Sequence, residues 1–471
     1  MIPMIIGGEQ YRPKDGSIIS VLNPSSGEVM DELGCARLED VDQAFKMAKD
    51  QQITWMKTSA DQREKIFHRA ATLLEQNLDS LSNLIMNESG STLAKSKHEV
   101  SYGAQILRAS AGEARRLYGD TVPDDKDNRM SLVTVDPLGV VAVISPFNAP
   151  LALLIKMMAF PLAAGNSLVV KPSEETPAIA AKFVELLHEA GLEPGIVNLL
   201  QGGGDVGQMM VDHSNLDGLT FTGSTAVGQK IGASLGRRLK GLHLELGGNN
   251  PLIICDDFSI EEAVDQSIFG SFFHGGQICM ASSRILIQDK IYEDFKDMFL
   301  AKVSNLEIGA LDSDSTFYGP LINERAIQGA MSTVNKELED GAKSLSGPLQ
   351  CDGLRMKPCI LTDLPTDSKV WHTETFAPVI NIRSFSSDEE ALKLANDSLY
   401  GLSAGILSNN YRRALPLAKG IRCGGVHIGS HPFQSGSMTP VGGMGLSGIG
   451  KSGGKYSIEH FTEKKWLSFN L

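Results

Sequence analysis

Positive charge and paired cysteines are scarce in this chain of 471 residues. It has 43 Lys and Arg against 56 Asp and Glu, a net charge of −13, and no run rich in basic residues. This balance disfavours binding to nucleic acid or to an anionic membrane surface. The six cysteines are scattered singly and form no CxxC spacing, which is typical of a reducing compartment. We therefore expect a cytoplasmic protein without a nucleic-acid partner.

A secretion signal and an uninterrupted apolar run of membrane length are also lacking. The apolar segment Met1–Ile6 is too short for a signal and is followed at once by Gly7 and Gly8. The segment Gly139–Val170 has one charge, Lys156, but its prolines and asparagines would leave polar groups unpaired in lipid. We interpret it as a buried strand, loop, helix and strand, and expect no membrane association.

Histidines at metal-ligand spacing and the hydrolase motif GxSxG are absent as well. There is no HExxH, and His372 with Glu374 is a single pair, so we expect no metal site. The missing GxSxG gives no support for an α/β-hydrolase serine. Zinc chemistry and serine-dependent hydrolysis are therefore disfavoured.

Glycine, in contrast, is frequent, at 48 of 471 residues, which is about 10 % against a usual ~7 %. With 42 % hydrophobic residues the chain is neither collagen-like nor disordered, so the glycines belong to turns of a folded protein. At about 100–200 residues per domain, the length indicates two or three packed units.

Hydrophobic periodicity predicts a helical N-terminal part followed by two α/β units. Leu38–Leu117 has helical spacing, and Ser59 begins a capping-box pattern with the glutamine three residues later. Strands then alternate with helices over Val133–Phe221 and again over Asn250–Ala418. This alternation predicts two parallel sheets built of βαβ units, which meet near residue 246.

Two glycine turns are candidates for binding the phosphates of a nucleotide. Gly202–Gly207 matches GxGxxG between a strand and a helix, but the acidic residue expected about 20 residues later is not clearly placed. Phe221–Gly228 (FTGSTAVG) is again a strand, a glycine turn and a helix start, with hydroxyl and N–H groups for an anion. We favour the second turn, although an ordinary capped turn has the same pattern.

Polar groups also follow two other predicted strands. Lys171–Pro177 (KPSEETP) places a cation and carboxylates at the carboxyl end of a strand, where α/β sheets bind ligands. A solvated charged loop is the alternative interpretation. Ser145–Pro150 (SPFNAP) holds the amide of Asn148 between two prolines, which suits a fixed hydrogen-bond donor and equally a plain turn.

Glu245 and Cys279 are the candidates for chemistry. Glu245 lies within an apolar strand, where desolvation raises a carboxyl pKa and makes the group a usable general base near neutral pH. Cys279 lies in a glycine-flanked turn, Gly275–Met280. A thiol of pKa ~8.5 is mostly protonated at pH 7, so a nucleophilic role needs a lowered pKa, as at a helix N-terminus. The alternative for this cysteine is a small buried hydrophobic residue.

Seven motifs, in this order and spacing, closely resemble the NAD(P)-dependent aldehyde dehydrogenase superfamily. They are PFNAP, KPSEETP, FTGSTAVG, ELGGNNP, GGQICMASSR, ETFAPV and GGMGLSGIGKSGG, and they span nearly the whole chain. The strings HGGQICM and FTEKKWLSF look most like the benzaldehyde, vanillin and salicylaldehyde dehydrogenase branch.

The resemblance implies an α/β fold with three parts. These are a Rossmann-type cofactor domain (residues 1–118 and 137–245), an α/β catalytic domain (246–440) and a β-hairpin oligomerisation arm (119–136 and 456–471). The arm segments fit neither α/β unit, and we interpret them as arms that pair between subunits of a homodimer or homotetramer.

The resemblance also implies roles for individual residues. Cys279 would be the nucleophile that forms a thiohemiacetal and then a thioester, Asn148 and the Cys279 N–H would hold the oxyanion, and Glu245 would activate water. The residues expected to bind the cofactor are Lys171, Glu174, Gly223, Ser224, Thr225, Gly228, Glu374 and Phe376. A carboxylate at Glu174 accepts ribose hydroxyls and repels a 2′-phosphate, so NAD is expected over NADP, with Lys171 leaving some tolerance.

The sequence departs from the family pattern at several positions. Phe147 stands where many members have tryptophan, Met157 where some have a lysine relay, and Ser452 where some have a second glutamate. The last two changes would concentrate proton transfer on the single expected base. Ala149 and Val441, where relatives often have phenylalanine, imply a roomier channel. Together with Phe147 they form the expected substrate pocket.

We therefore predict an NAD-dependent enzyme that oxidises a hydrophobic, aromatic aldehyde to its acid. One alternative is a CoA-acylating semialdehyde dehydrogenase of the same fold, which passes the thioester to a thiol; such enzymes lack the base, so Glu245 favours hydrolysis. A second alternative, from a different class, is a catalytically silent structural or nucleotide-binding relative. The intact Cys279, Asn148 and Glu245 disfavour it.

Overall fold

A computed structural model describes residues 1–13, 16–365 and 367–471. The α-helices of these residues are α1 (Leu38–Lys57), α2 (Ala60–Gln76), α3 (Leu78–Ser89), α4 (Leu93–Ala114), α5 (Ala152–Ala163), α6 (Pro177–Glu189), α7 (Gly204–Asp212), α8 (Thr225–Arg237), α9 (Ile260–Phe272), α10 (Tyr292–Val303), α11 (Glu324–Glu339), α12 (Lys369–His372), α13 (Asp388–Asn396), α14 (Tyr411–Gly420) and α15 (Gly454–His460).

The strands of the same residues are β1 (Met4–Ile6), β2 (Glu9–Tyr11), β3 (Ile18–Leu22), β4 (Val29–Gly34), β5 (Asp120–Val122), β6 (Arg129–Pro137), β7 (Val140–Ile144), β8 (Ser167–Lys171), β9 (Val197–Leu199), β10 (Gly218–Thr222), β11 (Gly241–Glu245), β12 (Asn250–Ile254), β13 (Ser282–Gln288), β14 (Lys343–Ser344), β15 (Cys351–Asp352), β16 (Arg355–Met356), β17 (Cys359–Thr362), β18 (Val379–Phe385), β19 (Ser403–Leu407), β20 (Gly425–Ile428), β21 (Gly448–Ile449) and β22 (Thr462–Asn470). The predicted helical N-terminal part and both α/β alternations are confirmed. The predicted cap of α2 is present too, since the Ser59 hydroxyl accepts a hydrogen bond from the Gln62 N–H at 3.3 Å.

The first sheet has the strand order β2-β1-β9-β8-β7-β10-β11-β21. Strands β9 to β11 are parallel, and β1 and β21 join the two ends of this parallel set in antiparallel pairing. Strand β7 is buried throughout, and its residues alternate between two hydrophobic cores. Helices α2 to α6 contribute to one core and α7 and α8 to the other, while α1 contributes to both. Buried strands covered on both faces explain the continuous apolar runs of the sequence.

The connections of this sheet run in opposite directions from its centre. The chain proceeds from β7 through β8 to β9 on one side, and then returns to β10 and β11 on the other. In such sheets a crevice opens at the carboxyl ends of the strands where the order reverses. The fold therefore places a ligand site at the ends of β7 and β10.

The second sheet has the order β14-β17-β18-β13-β12-β19-β20 and is parallel except for β14. It also lies between two cores, one with the rings of Phe272, Phe295 and Phe299 and the other with Trp371 and Phe385. Strand β11 ends just before β12 begins, so the two sheets follow each other directly along the chain.

A third, three-stranded sheet has the order β22-β6-β5. Strand β22 pairs with β6 in an antiparallel register that runs from Thr462 opposite Pro137 to Asn470 opposite Arg129. The two arm segments, which the sequence led us to interpret as pairing between subunits, pair here within one chain. Their outer surface is exposed along almost all of β22.

The apolar segment 139–170 forms β7, the loop that follows it, α5 and β8, as the sequence predicts. Its Asn166 amide is hydrogen-bonded within the protein, since it donates to Pro161 O at 3.0 Å and Phe461 O at 2.9 Å. Within the described ranges, no helix combines the length and the apolar character needed to cross a membrane.

Candidate active site

A cavity of about 680 Å³ opens at the carboxyl ends of β7, β8 and β10. Its lining includes most of the residues that the sequence singled out: Phe147, Asn148, Lys171, Glu174, Gly223, Ser224, Glu245, Cys279, Glu374 and Phe376. Side chains at the carboxyl ends of strands in the first sheet thus meet side chains of loops that lead into strands of the second sheet. The crevice predicted from the strand order is the place where they meet.

Four of the predicted residues lie outside this lining. The Thr225 hydroxyl donates to Leu446 O at 3.2 Å, and a Cβ on Gly228 would lie 2.4 Å from the Leu246 side chain, so both serve packing at the start of α8. Ala149 lies in the same loop as Asn148 but does not line the cavity. Val441 lines a second, smaller cavity of about 50 Å³ that also borders Cys279.

Two helix starts border one end of the large cavity. Ser224 is the N-cap of α8, and its side chain makes no capping hydrogen bond, which leaves the first N–H groups of that helix available. The rival glycine turn borders the same cavity, since Gly204 and Gly207 of α7 line it too. Both glycine turns therefore border the cavity. The sequence alone could not show this, because the two turns come together only in the folded sheet.

Lys171 and Glu174 stand together at the end of β8. The buried Lys171 ammonium donates to Pro172 O at 2.7 Å and Gly202 O at 2.9 Å, and it lies 3.7 Å from the Glu174 carboxylate. Burial lowers the pKa of Lys171, with the Glu174 charge opposing that shift. A cation fixed in this way keeps the Glu174 carboxylate at the rim of the cavity.

Glu374 and Phe376 approach from the second sheet. The Gly248 N–H donates to the Glu374 carboxylate at 3.1 Å, and a Cβ on Gly247 would lie only 2.2 Å from it. Burial raises the pKa of Glu374 to about 8. Phe376 has a left-handed φ of +52° and meets Phe147 edge to face, with ring centroids 6.0 Å apart. Such strain in a bulky residue is typical of a functional site.

The turn that carries Cys279 is held from two sides. Asn250 donates its amide to Cys279 O at 2.9 Å, and the Asn148 amide donates to Gln277 O at 2.9 Å. A Cβ on Gly248 would lie 2.3 Å from Cys279 O, so only glycine permits this close approach. The segment that joins the two sheets thus fixes the position of the cysteine.

The thiol of Cys279 differs from the sequence-based expectation of a lowered pKa. The residue follows a left-handed turn at His274, Gly275 and Gly276 and does not begin a helix. Burial raises the pKa of the thiol to about 12, and the charges of Glu374 and Glu245 act in the same direction. The expectation was wrong because this turn supplies no helix N-terminus to stabilise a thiolate.

Helix α4 holds the loop that carries Asn148. The sequence analysis named Asn148 but missed this role of the helix. The buried Lys95 ammonium donates to Asn148 O at 2.8 Å and pairs with Glu99 at 3.0 Å. The Glu99 carboxylate in turn accepts hydrogen bonds from the N–H groups of Leu151 and Ala152 at 2.8 and 3.2 Å. A Lys–Glu pair four residues apart on the buried stripe of an amphipathic helix was the available signal.

Glu245 ends β11, and its Oε1 has no hydrogen-bond partner in the described residues. Two ionisable groups that the sequence did not assign a role stand beside it. His243 has its Nε2 3.3 Å from Glu245 Oε1. Lys156 of α5 lines the smaller cavity with Glu245 and Cys279, and burial lowers its pKa to about 8.

Apolar side chains surround the Cys279 turn on the side of the smaller cavity. Ile278, Met280 and Leu402 form a small core, against which the rings of Phe273 and Phe433 pack. Within the described parts of the chain, no group of three or more His, Cys, Asp or Glu side chains could hold a metal ion. The arrangement therefore combines a thiol, an amide donor and a carboxylate with apolar walls.

Comparison with known proteins agrees with this arrangement. The sequence profile of the aldehyde dehydrogenase family matches residues 11–467. The chain is 36% identical over 455 residues to benzaldehyde dehydrogenase [NAD(+)] of Pseudomonas putida, covering 96% of this chain and 93% of the relative. It is 34% identical over 466 residues to the mitochondrial succinate-semialdehyde dehydrogenase of Arabidopsis thaliana, covering 98% and 88%.

Solved structures show the same fold. A Brucella melitensis aldehyde dehydrogenase has a TM-score of 0.96 and 31% identity, with 100% of this chain and 97% of that chain covered. The betaine aldehyde dehydrogenase of Staphylococcus aureus in complex with NAD+ has a TM-score of 0.97 and 31% identity, with 100% and 95% covered. The chain therefore belongs to the aldehyde dehydrogenase family and is an oxidoreductase that acts on aldehydes.

Proposed function

We propose that this chain oxidises a hydrophobic, aromatic aldehyde to its carboxylic acid with NAD, through a covalent intermediate on Cys279. One observation carries the proposal. Cys279, Asn148 and Glu245 come from distant parts of the chain and line one cavity together with the residues expected to hold the cofactor. A catalytically silent relative would not need these three groups around one cavity.

The large cavity suits an extended dinucleotide. The uncapped start of α8 offers N–H groups to a pyrophosphate, and carboxylates at Glu174 and Glu374 offer acceptors to two riboses. When bound, the nicotinamide ring supplies the acceptor for the hydride. A carboxylate at the adenosine ribose disfavours a 2′-phosphate, which supports NAD over NADP. The P. putida relative named for NAD(+) and the NAD+ complex of the S. aureus enzyme agree with this choice.

The first half of the reaction forms a bond between Cys279 Sγ and the aldehyde carbon. The thiol proton passes to Glu245 through water, since burial keeps the thiol protonated at neutral pH. The carbonyl electron pair moves to oxygen, where the second N–H of the Asn148 amide and the Cys279 N–H stabilise it. Loss of hydride from the adduct then leaves a thioester on Cys279.

The second half breaks the same bond. Glu245 first releases the thiol proton to solvent water, then takes a proton from the water molecule that attacks, and the resulting hydroxide adds to the thioester carbon. The tetrahedral adduct collapses with cleavage of the carbon–sulfur bond. The acid leaves, and the sulfur recovers a proton. Both halves use the same carboxylate, which lines both cavities together with the thiol.

The substrate proposal rests on the walls of that smaller cavity. Leu402, Val441 and Phe461 give it apolar character near Cys279. Relatives named for benzaldehyde in P. putida and for vanillin in Amycolatopsis, at 36% and 35% identity, support an aromatic aldehyde. Lys156 favours a second candidate, a semialdehyde, because its buried ammonium has no ion pair in the described chain and could meet a carboxylate.

The test is a panel of aldehydes assayed by NADH formation. Benzaldehyde and vanillin are compared with succinate and glutarate semialdehydes, each with NAD and NADP, and with and without coenzyme A. We expect the highest kcat/KM for the aromatic aldehydes with NAD, no effect of coenzyme A, and no turnover by Cys279→Ser. Absence of activity across the panel would contradict the proposed function, and a rate raised by coenzyme A would favour an acylating enzyme.

The cofactor preference has its own test in Glu174→Ser. Removing the carboxylate should lower the ratio of kcat/KM for NAD to that for NADP by about tenfold, or about 1.4 kcal/mol, because repulsion of a 2′-phosphate is lost. Glu175→Ser is the matched control, since Glu175 accepts a hydrogen bond from Asn323 at 2.6 Å and does not line the cavity. An unchanged ratio in Glu174→Ser would remove Glu174 from the ribose site.

We further propose the division into parts that the resemblance implies. Residues 1–118 and 137–245 would bind NAD, residues 246–440 would form the catalytic domain, and residues 119–136 and 456–471 would join subunits in a homodimer or homotetramer. The two main sheets support the first two parts, and the exposed three-stranded sheet supports the third. The scattered cysteines support a cytoplasmic setting.

A further inference from the structure

We propose that His243 is a positioning residue that acts through Glu245. It would hold the carboxylate where it can take a proton from water, and it would then share that proton. The inference rests on the proposed function, because it assigns a partner to the base of the thioester hydrolysis. It goes beyond that function because nothing in the chemistry of the thiol and the carboxylate requires a histidine at this position.

The strand geometry aims both side chains at the same place. His243 and Glu245 are two residues apart on β11, so their side chains lie on one face of the sheet. Thr220 stands opposite His243 on β10, and its hydroxyl lies 3.0 Å from His243 Nδ1. This contact fixes the ring and directs Nε2 toward Glu245 Oε1, 3.3 Å away.

Neither of the two facing atoms has another partner. In the described residues, His243 Nε2 and Glu245 Oε1 are both buried without a hydrogen bond, and His243 is only 3% exposed. A buried polar atom without a partner costs free energy, and such atoms are usually paired. A small rotation of the carboxylate would satisfy both atoms at once.

The backbone closes over the pair from the other side. A Cβ on Gly442 would lie 2.9 Å from Glu245 Oε1, and one on Gly450 would lie 2.7 Å from the His243 ring. The space left is the cavity of about 50 Å³, which His243, Glu245 and Cys279 line together and which is large enough to hold water. A water molecule there stands between the base and the thioester carbon.

Several charged and titratable groups of neighbouring elements face the pair. Lys156 of α5 and Lys451, just before α15, both interact favourably with the Glu245 charge. Cys279 borders the same cavity. His460 of α15 lies with its ring centroid 5.4 Å from that of His243, and its pKa is lowered by burial and then by His243.

The proposed step conserves atoms and charge. Glu245 takes a proton from water as the hydroxide adds to the thioester. The new carboxyl O–H donates to the lone pair of His243 Nε2, and the proton moves onto the ring, where it faces the regenerated carboxylate. Nδ1–H then donates to the Thr220 hydroxyl. No oxidant or further reactant is needed.

The experiment compares His243→Leu and His243→Gln with the parent enzyme in single-turnover and steady-state assays. His243→Leu is expected to release one NADH per subunit rapidly and then to turn over about tenfold or more slowly, with KM for NAD unchanged. His243→Gln can donate a hydrogen bond but cannot hold a second proton. It should recover part of the steady-state rate and shift the acid limb of the pH profile of kcat.

The controls separate this inference from the proposed function. His188→Leu removes another histidine whose buried Nε2 lacks a partner, far from both cavities, and should leave kcat unchanged. Glu245→Gln should lose steady-state turnover, and adding His243→Leu to it should cost nothing further. A normal steady state in Glu245→Gln would contradict the proposed function itself.

Two results would overturn the role of His243 alone. One is loss of steady-state turnover in Glu245→Gln together with normal kcat and pH profile in His243→Leu. The other is loss of NAD binding in both His243 variants, which would make the histidine a structural residue. Since His243→Gln keeps the size and polarity of the site, it tests the role even where the leucine variant fails to fold.

Discussion

At the scale of single residues, Cys279 stands in surroundings that disfavour its reactive form. Burial and two nearby carboxylates hold the thiol proton, and the charge of Lys156 acts in the opposite direction. A permanently ionised thiol would react with any electrophile that entered the cavity. A protonated thiol instead becomes a nucleophile only when a base accepts its proton, which ties attack to Glu245.

This predicts slow alkylation of Cys279 in the protein without substrate or NAD. With a pKa of about 12, the thiolate fraction should rise about tenfold for each unit of pH between 7 and 10, with no plateau. Iodoacetamide labelling of the Cys279 peptide, followed by mass spectrometry, measures this rate. The exposed Cys351 in the same sample is the internal reference, and it should label faster at pH 8. A plateau for Cys279 below pH 8 would mean that the thiol is already activated.

Lys156 gives a second prediction, about stability. Its pKa falls from 10.5 when exposed to about 8 in the fold, because burial disfavours the charged form. Between these values the unfolded lysine holds a proton and the folded one does not, so this group makes stability rise with pH from about 8 to 10.5. Below pH 8 it costs up to about 3 kcal/mol.

Lys156→Met should therefore raise the unfolding free energy at pH 7 by up to about 3 kcal/mol. The gain should shrink as pH rises and disappear near the unfolded pKa of 10.5. Urea unfolding of both proteins at neutral and alkaline pH measures the difference. A gain that does not change with pH would show that packing, and not desolvation of the ammonium, is responsible.

At the scale of elements, helix α4 holds the loop of Asn148 although none of its residues lines either cavity. Its Lys95–Glu99 pair connects the carbonyl of Asn148 to the first N–H groups that follow the loop, and so it fixes the amide expected to hold the oxyanion. Both side chains are almost fully buried, at 6% and 3% exposure, so each depends on the other for its charge.

Glu99→Gln should accordingly lower kcat by about tenfold, because a shifted Asn148 loses alignment with the developing charge. KM for NAD should change little, since the cofactor residues lie on other elements. Glu75→Gln is the control: its pair with Arg108 also joins α4 to a neighbouring helix, but it is exposed and worth at most about 1 kcal/mol. Equal effects of the two variants would mean that α4 contributes only stability.

The elements that the sequence predicted best are those that carry their own signal. Strands β7 and β12 lie within the two predicted alternations, and each is a buried run between turn residues. Helix α11 and the hairpin of β3 and β4 were not among the predictions. The hairpin strands are largely exposed, so pairing and not local pattern defines them.

The site, like the fold, was predictable where a residue carries its own local signal in the sequence. Asn148, Glu245 and Cys279 could be named because each occupies a marked turn or strand end that resembles a family motif. Lys95, Glu99 and His243 could not be assigned, because their roles come from what packs beside them after folding. The pKa of Cys279 was misjudged for that reason too, since burial is a property of the whole fold.

At the scale of the whole molecule, the sheet of β22, β6 and β5 is incomplete within one chain. Its strand β22 exposes apolar rings at Trp466 and Phe469, 64% and 44% accessible, along an edge to which no other strand of the described residues is added. A small sheet needs a covered face to be stable, and an exposed apolar edge invites pairing with another chain. A second copy of this chain would supply both a cover for the exposed face and a partner for the edge strand.

Deleting residues 462–471 is therefore expected to convert the oligomer to a monomer and to lower its Tm, because β6 loses its partner along nine residue pairs. Light scattering coupled to size-exclusion chromatography measures the mass. Trp466→Lys with Phe469→Lys is the milder version, which keeps the strand and places one charge on each of its two exposed faces. Leu239→Lys is the control, since Leu239 is 93% exposed but lies outside this sheet. If the full-length chain were itself a monomer, the exposed strand would need a partner of another kind; if the truncated chain kept the parent mass, the subunits would have to meet elsewhere.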